Sequence, residues 1–240
     1  MKEGKDMLKN LYTSQDKLNY KQIPLLNYLT EDEFYKMESN FEVLQFKRNE
    51  HIFNSGDPAS KMFILYSGFM KITKILSDGR EQMMYLYQPG DFVGGLNLLS
   101  GDTYVYNGVA LRDCVVITIS KQDFHEVLMK NTDFMRSVLV KSYERIRRAE
   151  ALVDRLSVIN ADLKVAKALI NLIKVYGQQT DKGILLKLTL NQEELGSYAG
   201  VTRETMSRKL RQFEEAGLIK ILGRSRILLV DVKGLSDLTI

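Results

Sequence analysis

Thr202-Arg203-Glu204-Thr205-Met206-Ser207-Arg208-Lys209-Leu210-Arg211 is the stretch whose reading decides the fold. Taken as a helix, it places Met206, Leu210 and Phe213 at helical spacing along one apolar stripe. Thr202 is a good N-cap, so Arg203 and Glu204 occupy the first turn. Arg203, Glu204, Ser207, Arg208 and Arg211 share another face. That set suits the major groove of double-stranded DNA, where Arg forks onto guanine O6 and N7 and Glu accepts from cytosine N4. A plain surface helix with solvated charges has the same pattern, so the flanking sequence has to decide between the two.

Upstream, Asn191 with Glu194 three residues on is a capping-box pattern, and Leu195, Tyr198 and Ala199 form an inner face. Gly200 supplies the left-handed residue that ends this helix and opens a tight turn. Helix, glycine turn and helix make a helix-turn-helix. Downstream, the apolar runs Leu218–Leu222 and Arg226–Val230 enclose Gly223-Arg224-Ser225, a hairpin. Such a hairpin is a wing, and Arg224 and Arg226 at its tip are placed to reach phosphate.

The composition agrees. The chain has 240 residues, 45% hydrophobic and 27% charged, with room for two small domains. It has no run of about 18 apolar residues, so no membrane span is expected. The N-terminus, Met1-Lys2-Glu3-Gly4-Lys5-Asp6, lacks a signal-peptide core. The single cysteine, Cys114, can form no intrachain disulfide, and in a strand it reads as a buried inert thiol. These features point to the cytoplasm. Residues 160–240 carry 13 Lys+Arg against 9 Asp+Glu, and residues 1–159 carry 21 of each. The whole net charge of +4 therefore sits in the C-terminal third, the asymmetry that nucleic-acid binding produces.

The rest of the chain divides into an α+β arrangement. Leu25, Leu26, Leu29, Phe34 and Met37 suggest one or two short helices. From Glu42 to Ser120 the pattern has period two. The runs are Phe41–Phe46, Met62–Tyr66, Met70–Ile75, Gln82–Tyr87, Tyr104-Val105-Tyr106 and Val115–Ile119. Gly/Asp turns punctuate them, which predicts an antiparallel β-barrel or jelly roll. Lys121-Gln122-Asp123-Phe124 begins a helical stretch. A helix about 37 Å long follows, from about Asp133 to Ser157. Its seam of Leu139, Tyr143, Ile146, Ala149, Val153 and Leu156 packs either on the same chain's barrel or on a second copy, the latter favoured by the helix's length. Glu144 and Arg148 are an i,i+4 pair on its outer surface. Asn160 is placed to cap the next helix, Asp162 to Tyr176. The expected domains are an N-terminal sensor barrel, 1–132; a long dimerisation helix, 133–159; and a winged helix-turn-helix, 160–240.

This order resembles the bacterial CRP/FNR family, the cyclic-AMP receptor protein and its relatives, from about Ile23 to the C-terminus. The resemblance rests on Gly56-Asp57, Met62–Gly68, Pro89-Gly90-Asp91-Phe92-Val93-Gly94 and above all Val201-Thr202-Arg203-Glu204-Thr205-Met206-Ser207-Arg208. It implies a transcription regulator that binds DNA as a homodimer, works with RNA polymerase, and carries a cyclic-nucleotide-binding-like sensor. It also implies a palindromic site with half-sites like TGTGA, or TTGA as the alternative, with Arg208 on the guanine, Glu204 opposite and Ser207 against thymine.

At the pocket the sequence departs from the cyclic-AMP pattern. Gly94-Gly95-Leu96 stands where the resemblance expects Gly-Glu-Leu, whose carboxylate holds ribose, and Tyr104-Val105 stands where it expects Arg-Ser on the phosphate. Cyclic AMP is therefore not expected. One cysteine excludes an intrachain iron–sulfur cluster. His51 and His125 read as plain histidines rather than haem ligands. No cofactor or metal is expected. Tyr85, Tyr87, Tyr104 and Tyr106, with Gly94, Gly95, Leu96 and Val105, either line an effector pocket or are filled core. A cupin-like enzyme would need clustered histidines, and these two are far apart in sequence. A constitutive or partner-regulated DNA-binding protein remains the other alternative.

Overall fold

The computed structural model describes residues 23–157, 160–223 and 225–239, with the side chains of 154–157 outside the description. Its contacts group into two compact units. One holds the residues up to Thr73 together with Tyr85–Ile146; the other holds Lys74–Met84 and the chain from Arg147 onward.

In the first unit, a 3-10 turn (Leu26–Tyr28) leads to α1 (Glu31–Glu38). Thr30 and Glu33 start α1 with a reciprocal capping box, the Thr30 N–H donating to Glu33 at 2.8 Å. Eight strands follow, of which the end of β4 and the first four residues of β5 group with the second unit: β1 (Glu42–Phe46), β2 (His51–Phe53), β3 (Lys61–Ser67), β4 (Met70–Ile75), β5 (Glu81–Tyr87), β6 (Phe92–Val93), β7 (Asn107–Ala110) and β8 (Cys114–Ser120). They form two four-stranded sheets, ordered β1-β8-β3-β6 and β2-β7-β4-β5. The pairings β1–β8, β3–β8, β3–β6, β2–β7 and β4–β7 are antiparallel. This is the jelly-roll form of the expected antiparallel domain. Met62, Ile64, Leu65, Ile72, Ile117 and Ile119 fill its core.

Tyr104-Val105-Tyr106 does not form the expected strand. Thr103 meets Pro58 in an isolated bridge, Tyr104 turns into the core, Val105 faces solvent, and β7 begins only at Asn107. The alternation is present in the sequence, but Tyr104 is positioned by its hydroxyl, which donates to the Lys61 carbonyl at 2.7 Å and accepts from the Lys61 N–H at 3.2 Å. Two further helices, α2 (Gly95–Ser100) and α3 (Lys121–Glu126), precede the long helix α4 (Thr132–Ser157). On α4, Glu144 pairs with Lys141 at 3.0 Å, one turn upstream, rather than with Arg148.

In the second unit, α4 is followed by α5 (Ala161–Tyr176), capped by the Asn160 side chain, which accepts from the Asp162 N–H at 2.8 Å. Then come β9 (Gly177–Thr180), β10 (Gly183–Lys187), α6 (Gln192–Ala199), α7 (Arg203–Glu215), β11 (Ile219–Ile221), β12 (Arg226–Leu229) and α8 (Val232–Asp237). The wing strands β11 and β12 do not stand alone. They continue through β10 to β9 as a four-stranded antiparallel sheet. Leu169, Leu172, Leu186, Leu195, Ile219, Leu229 and Leu235 form the core beneath. Among the described residues, no helix is long and apolar enough to cross a membrane.

Candidate nucleic-acid interface

Four local devices set the course of the chain into α7. The Asn191 side chain accepts from the Glu194 N–H and the Glu194 carboxylate accepts from the Asn191 N–H, each at 2.8 Å, which fixes the start of α6. Gly200 ends α6 with φ of 75°, the left-handed conformation that favours glycine. At Gly196 a Cβ would lie 2.9 Å from the Val201 carbonyl, so the turn passes that close only over a glycine. The Thr202 hydroxyl then accepts from the Thr205 N–H at 3.3 Å and starts α7.

The result is a helix split into two faces. Met206, Leu210 and Phe213 are at most 4% exposed. Thr202, Arg203, Glu204, Arg208 and Arg211 are exposed, and Ser207 is half-buried. The Glu204 carboxyl is held below the usual carboxylate range by its own backbone N–H first and the Thr202 hydroxyl second, with Arg203 adding to the effect. It is therefore an acceptor at neutral pH, the state required to take a hydrogen bond from a cytosine amine. Ser207 Oγ donates to Gln192 Oε1. Lys209, by contrast, is spent inside the fold, 2.8 Å from Asp162 on α5.

Glu214 Oε1 accepts from the Ile221 N–H at 2.6 Å and ties the reading helix to the wing. In the wing, Arg226 is exposed and Arg224 lies outside the described residues. Lys187, exposed on β10 and paired in register with Arg226, was missed from sequence because its strand was not recognised. Gln192 was missed because nothing in the sequence signals that Ser207 reaches it.

The suspected effector-pocket residues occupy different surroundings. Tyr87 and Tyr104 are 3% and 4% exposed. Tyr104 packs on Phe53 and Phe63 with ring centres 4.6 and 5.9 Å away, and burial pushes its phenol up, so it stays neutral. Gly94 and Gly95 are buried, Tyr85 and Tyr106 are half-buried, and Leu96 and Val105 are exposed. A Cβ on Gly95 would lie 2.9 Å from the Met62 sulfur. Arg145, reaching in from α4, was also missed. It donates to the Phe92 carbonyl and lies over the Phe92 and Tyr87 rings at 4.6 and 5.6 Å.

His51 is exposed and bonds Asn54 at 2.7 Å, and His125 lies edge-on to Phe124. Cys114 is 2% exposed, and its thiol is pushed up to about 11, by burial first and the charges of Asp113 and Glu50 second. It is protonated and inert at neutral pH. Among the described residues, no grouping of His, Cys, Asp and Glu could hold a metal ion.

On α4 the seam side chains face solvent in the single chain: Leu139 is 67%, Tyr143 59%, Ile146 56% and Val153 66% exposed. Ala149 is half-buried, and the Leu156 side chain lies outside the described residues.

A capped helix with a buried apolar stripe and an exposed Arg/Glu/Arg face, braced by a wing, defines a winged helix-turn-helix protein of the DNA-binding class. Residues 43–131 match the cyclic nucleotide-binding domain and residues 163–238 the Crp-like helix-turn-helix domain. The chain is 24% identical to the CRP-like cAMP-activated global transcriptional regulator of Mycobacterium tuberculosis, over 79% of this chain and 84% of that one. It is 28% identical to the transcriptional activator protein anr of Pseudomonas aeruginosa, over 74% of this chain and 72% of that one. The fold is similar to that of FixK2 from Bradyrhizobium japonicum, with a TM-score of 0.72 at 24% identity, covering 82% of this chain and 96% of that one. The chain belongs to the CRP/FNR family: it is a DNA-binding transcription regulator, not an enzyme.

Proposed function

We propose that the protein acts as a cytoplasmic homodimer that reads a palindrome with half-sites like TGTGA, or TTGA as the alternative, and delivers its effect to RNA polymerase. The observation that carries this reading is the split of α7, with Met206, Leu210 and Phe213 buried while Arg203, Glu204 and Arg208 are exposed. In it, Arg208 forks onto the guanine of the half-site, Glu204 accepts from the opposite cytosine, and Ser207 lies against thymine. Arg211, Arg224 and Arg226 hold phosphates. The exposed seam on α4 supports pairing with a second copy. Two reading helices would then lie about 34 Å apart, the spacing known for helix-turn-helix dimers including this family.

In this reading, residues 1–132 sense, 133–159 pair, and 160–240 bind DNA. The signal in this reading is not cyclic AMP, because Gly95 offers no carboxylate and Tyr104, standing where the cyclic-AMP pattern has Arg, is neutral and engaged by Lys61. The engaged Tyr104 also favours a second reading, in which the sheets are filled core and regulation comes from a protein partner or is absent. The relatives differ in their signals, one being cAMP-activated and others anaerobic regulators, so their names assign no signal to this chain.

The test is titration of the palindrome and its single-base variants. Arg208→Ala is expected to cost about 1–3 kcal/mol and to relax preference at its guanine. Added cyclic AMP is expected to leave the affinity unchanged. Full discrimination at the guanine by Arg208→Ala would show that α7 is not the reading head.

A further inference from the structure

The four strands β9, β10, β11 and β12 read Gly-Gln-Gln-Thr, Gly-Ile-Leu-Leu-Lys, Ile-Lys-Ile and Arg-Ile-Leu-Leu. They contain no Asp or Glu and three cations, Lys187, Lys220 and Arg226. Register places all three on one face. Lys187 stands opposite Arg226, Lys220 stands opposite Leu228, and Leu228 shares the Arg226 face because it lies two residues further along the same strand. The other face carries Leu186, Ile219, Ile227 and Leu229, each at most 4% exposed, so it is the core side. Lys187, Lys220 and Arg226 are all exposed, and among the described residues none of them has an ion pair.

Directly opposed residues of an antiparallel pair have Cβ atoms only about 5 Å apart, and like charges in that position repel. Placing Lys187 against Arg226 therefore costs the isolated chain a little stability, and among the described residues no ion pair offsets it. An anion lying across both does. The pair also sits beside the wing turn, where the Leu188 N–H donates to the Ser225 carbonyl at 2.8 Å, and the wing is tied to the reading helix through Glu214.

We infer that Lys187 and Arg226 form a two-pronged phosphate clamp on DNA flanking the half-site, with Lys220 as a weaker outlying contact. The interface thus extends past the wing hairpin onto the strand before the helix-turn-helix. This inference rests on the DNA-binding reading above, and it adds Lys187 and Lys220 to that interface. A duplex is a better fit than an acidic protein surface. Lys187 and Arg226 lie side by side on adjacent strands of the sheet that Glu214 ties to α7, and contact to phosphate demands no sequence.

Phosphate contacts are counted by salt. Each cation that neutralises a phosphate adds about one unit to the slope of log affinity against log salt concentration. Purified full-length protein is titrated with a mixed-sequence duplex and with the palindrome across a salt series. Lys187→Gln and Arg226→Gln are each expected to flatten the slope by about one unit, and together by about two, on both duplexes. Lys220→Gln should flatten it by less than one. Preference among single-base variants of the palindrome should not change. Lys187→Arg should keep the wild-type slope, and the melting temperature of Lys187→Gln should equal or exceed that of the wild type, because the like-charge pair is gone.

If the wild type binds duplex and the double variant keeps its slope, the clamp is refuted while the DNA reading survives, and the face is left for an acidic protein surface. A slope that falls only together with the melting temperature, and that Lys187→Arg does not preserve, also overturns the clamp. A wild type that binds no duplex sinks both readings.

Discussion

The helices α7 and α4 carry apolar stripes of the same kind and meet opposite ends. On α7 the stripe is covered by α5, α6 and β11 of the same chain, and Met206, Leu210 and Phe213 are at most 4% exposed. On α4 four large side chains of the seam remain more than half exposed. Periodicity shows that a surface is to be covered; it does not show whether the cover comes from the same chain or another. The first stripe holds a domain together, so its loss should unfold protein. The second is available for association, so its loss should leave the single chain folded.

The largest effect is expected from Phe213→Ala, which empties core between α7 and the wing sheet. It should destabilise the DNA-binding unit by about 3–5 kcal/mol, read by denaturant melts. Ile146→Asp should instead weaken self-association by about 3 kcal/mol, because a carboxylate left unpaired in an apolar seam is costly, while changing the melt little. Sedimentation at micromolar concentration checks this. A wild type already monomeric with and without DNA would erase the contrast between the two helices. Thr202→Ala removes only the cap of α7 and should cost about 1 kcal/mol, with DNA affinity falling alongside stability.

The reading head was legible in the sequence because its determinants are local. The Asn191/Glu194 box, Gly200 and the Thr202 cap each act within a few residues, and each is present as expected. The hairpin β9–β10 was not legible. Gly183-Ile184-Leu185-Leu186-Lys187 has no clear alternation, and it is a strand because β12 pairs with it from 39 to 45 residues away. Lys187 went unnoticed for the same reason. Tyr104-Val105-Tyr106 failed in the opposite sense: the alternation was there, but the Tyr104 hydroxyl found a backbone partner on β3 instead of a neighbouring strand. Arg145 lies on a helix that was correctly foreseen, yet only its three-dimensional neighbours reveal that it lies over Phe92 and Tyr87.

The close approach at Gly95 bears on what a change at this position would meet. An acidic side chain there would meet the Met62 sulfur, 2.9 Å from its Cβ, while the rings of Phe92 and Phe124 stay at an ordinary 3.6 Å. A step toward the cyclic-nucleotide pattern at this position would thus have to turn the Met62 thioether aside before gaining any contact. That thioether is near the end of an unbranched, adaptable side chain, so moving it costs less than opening a void would. Entry of a larger residue at this position therefore turns on one movable sulfur, and is decided by volume rather than by charge.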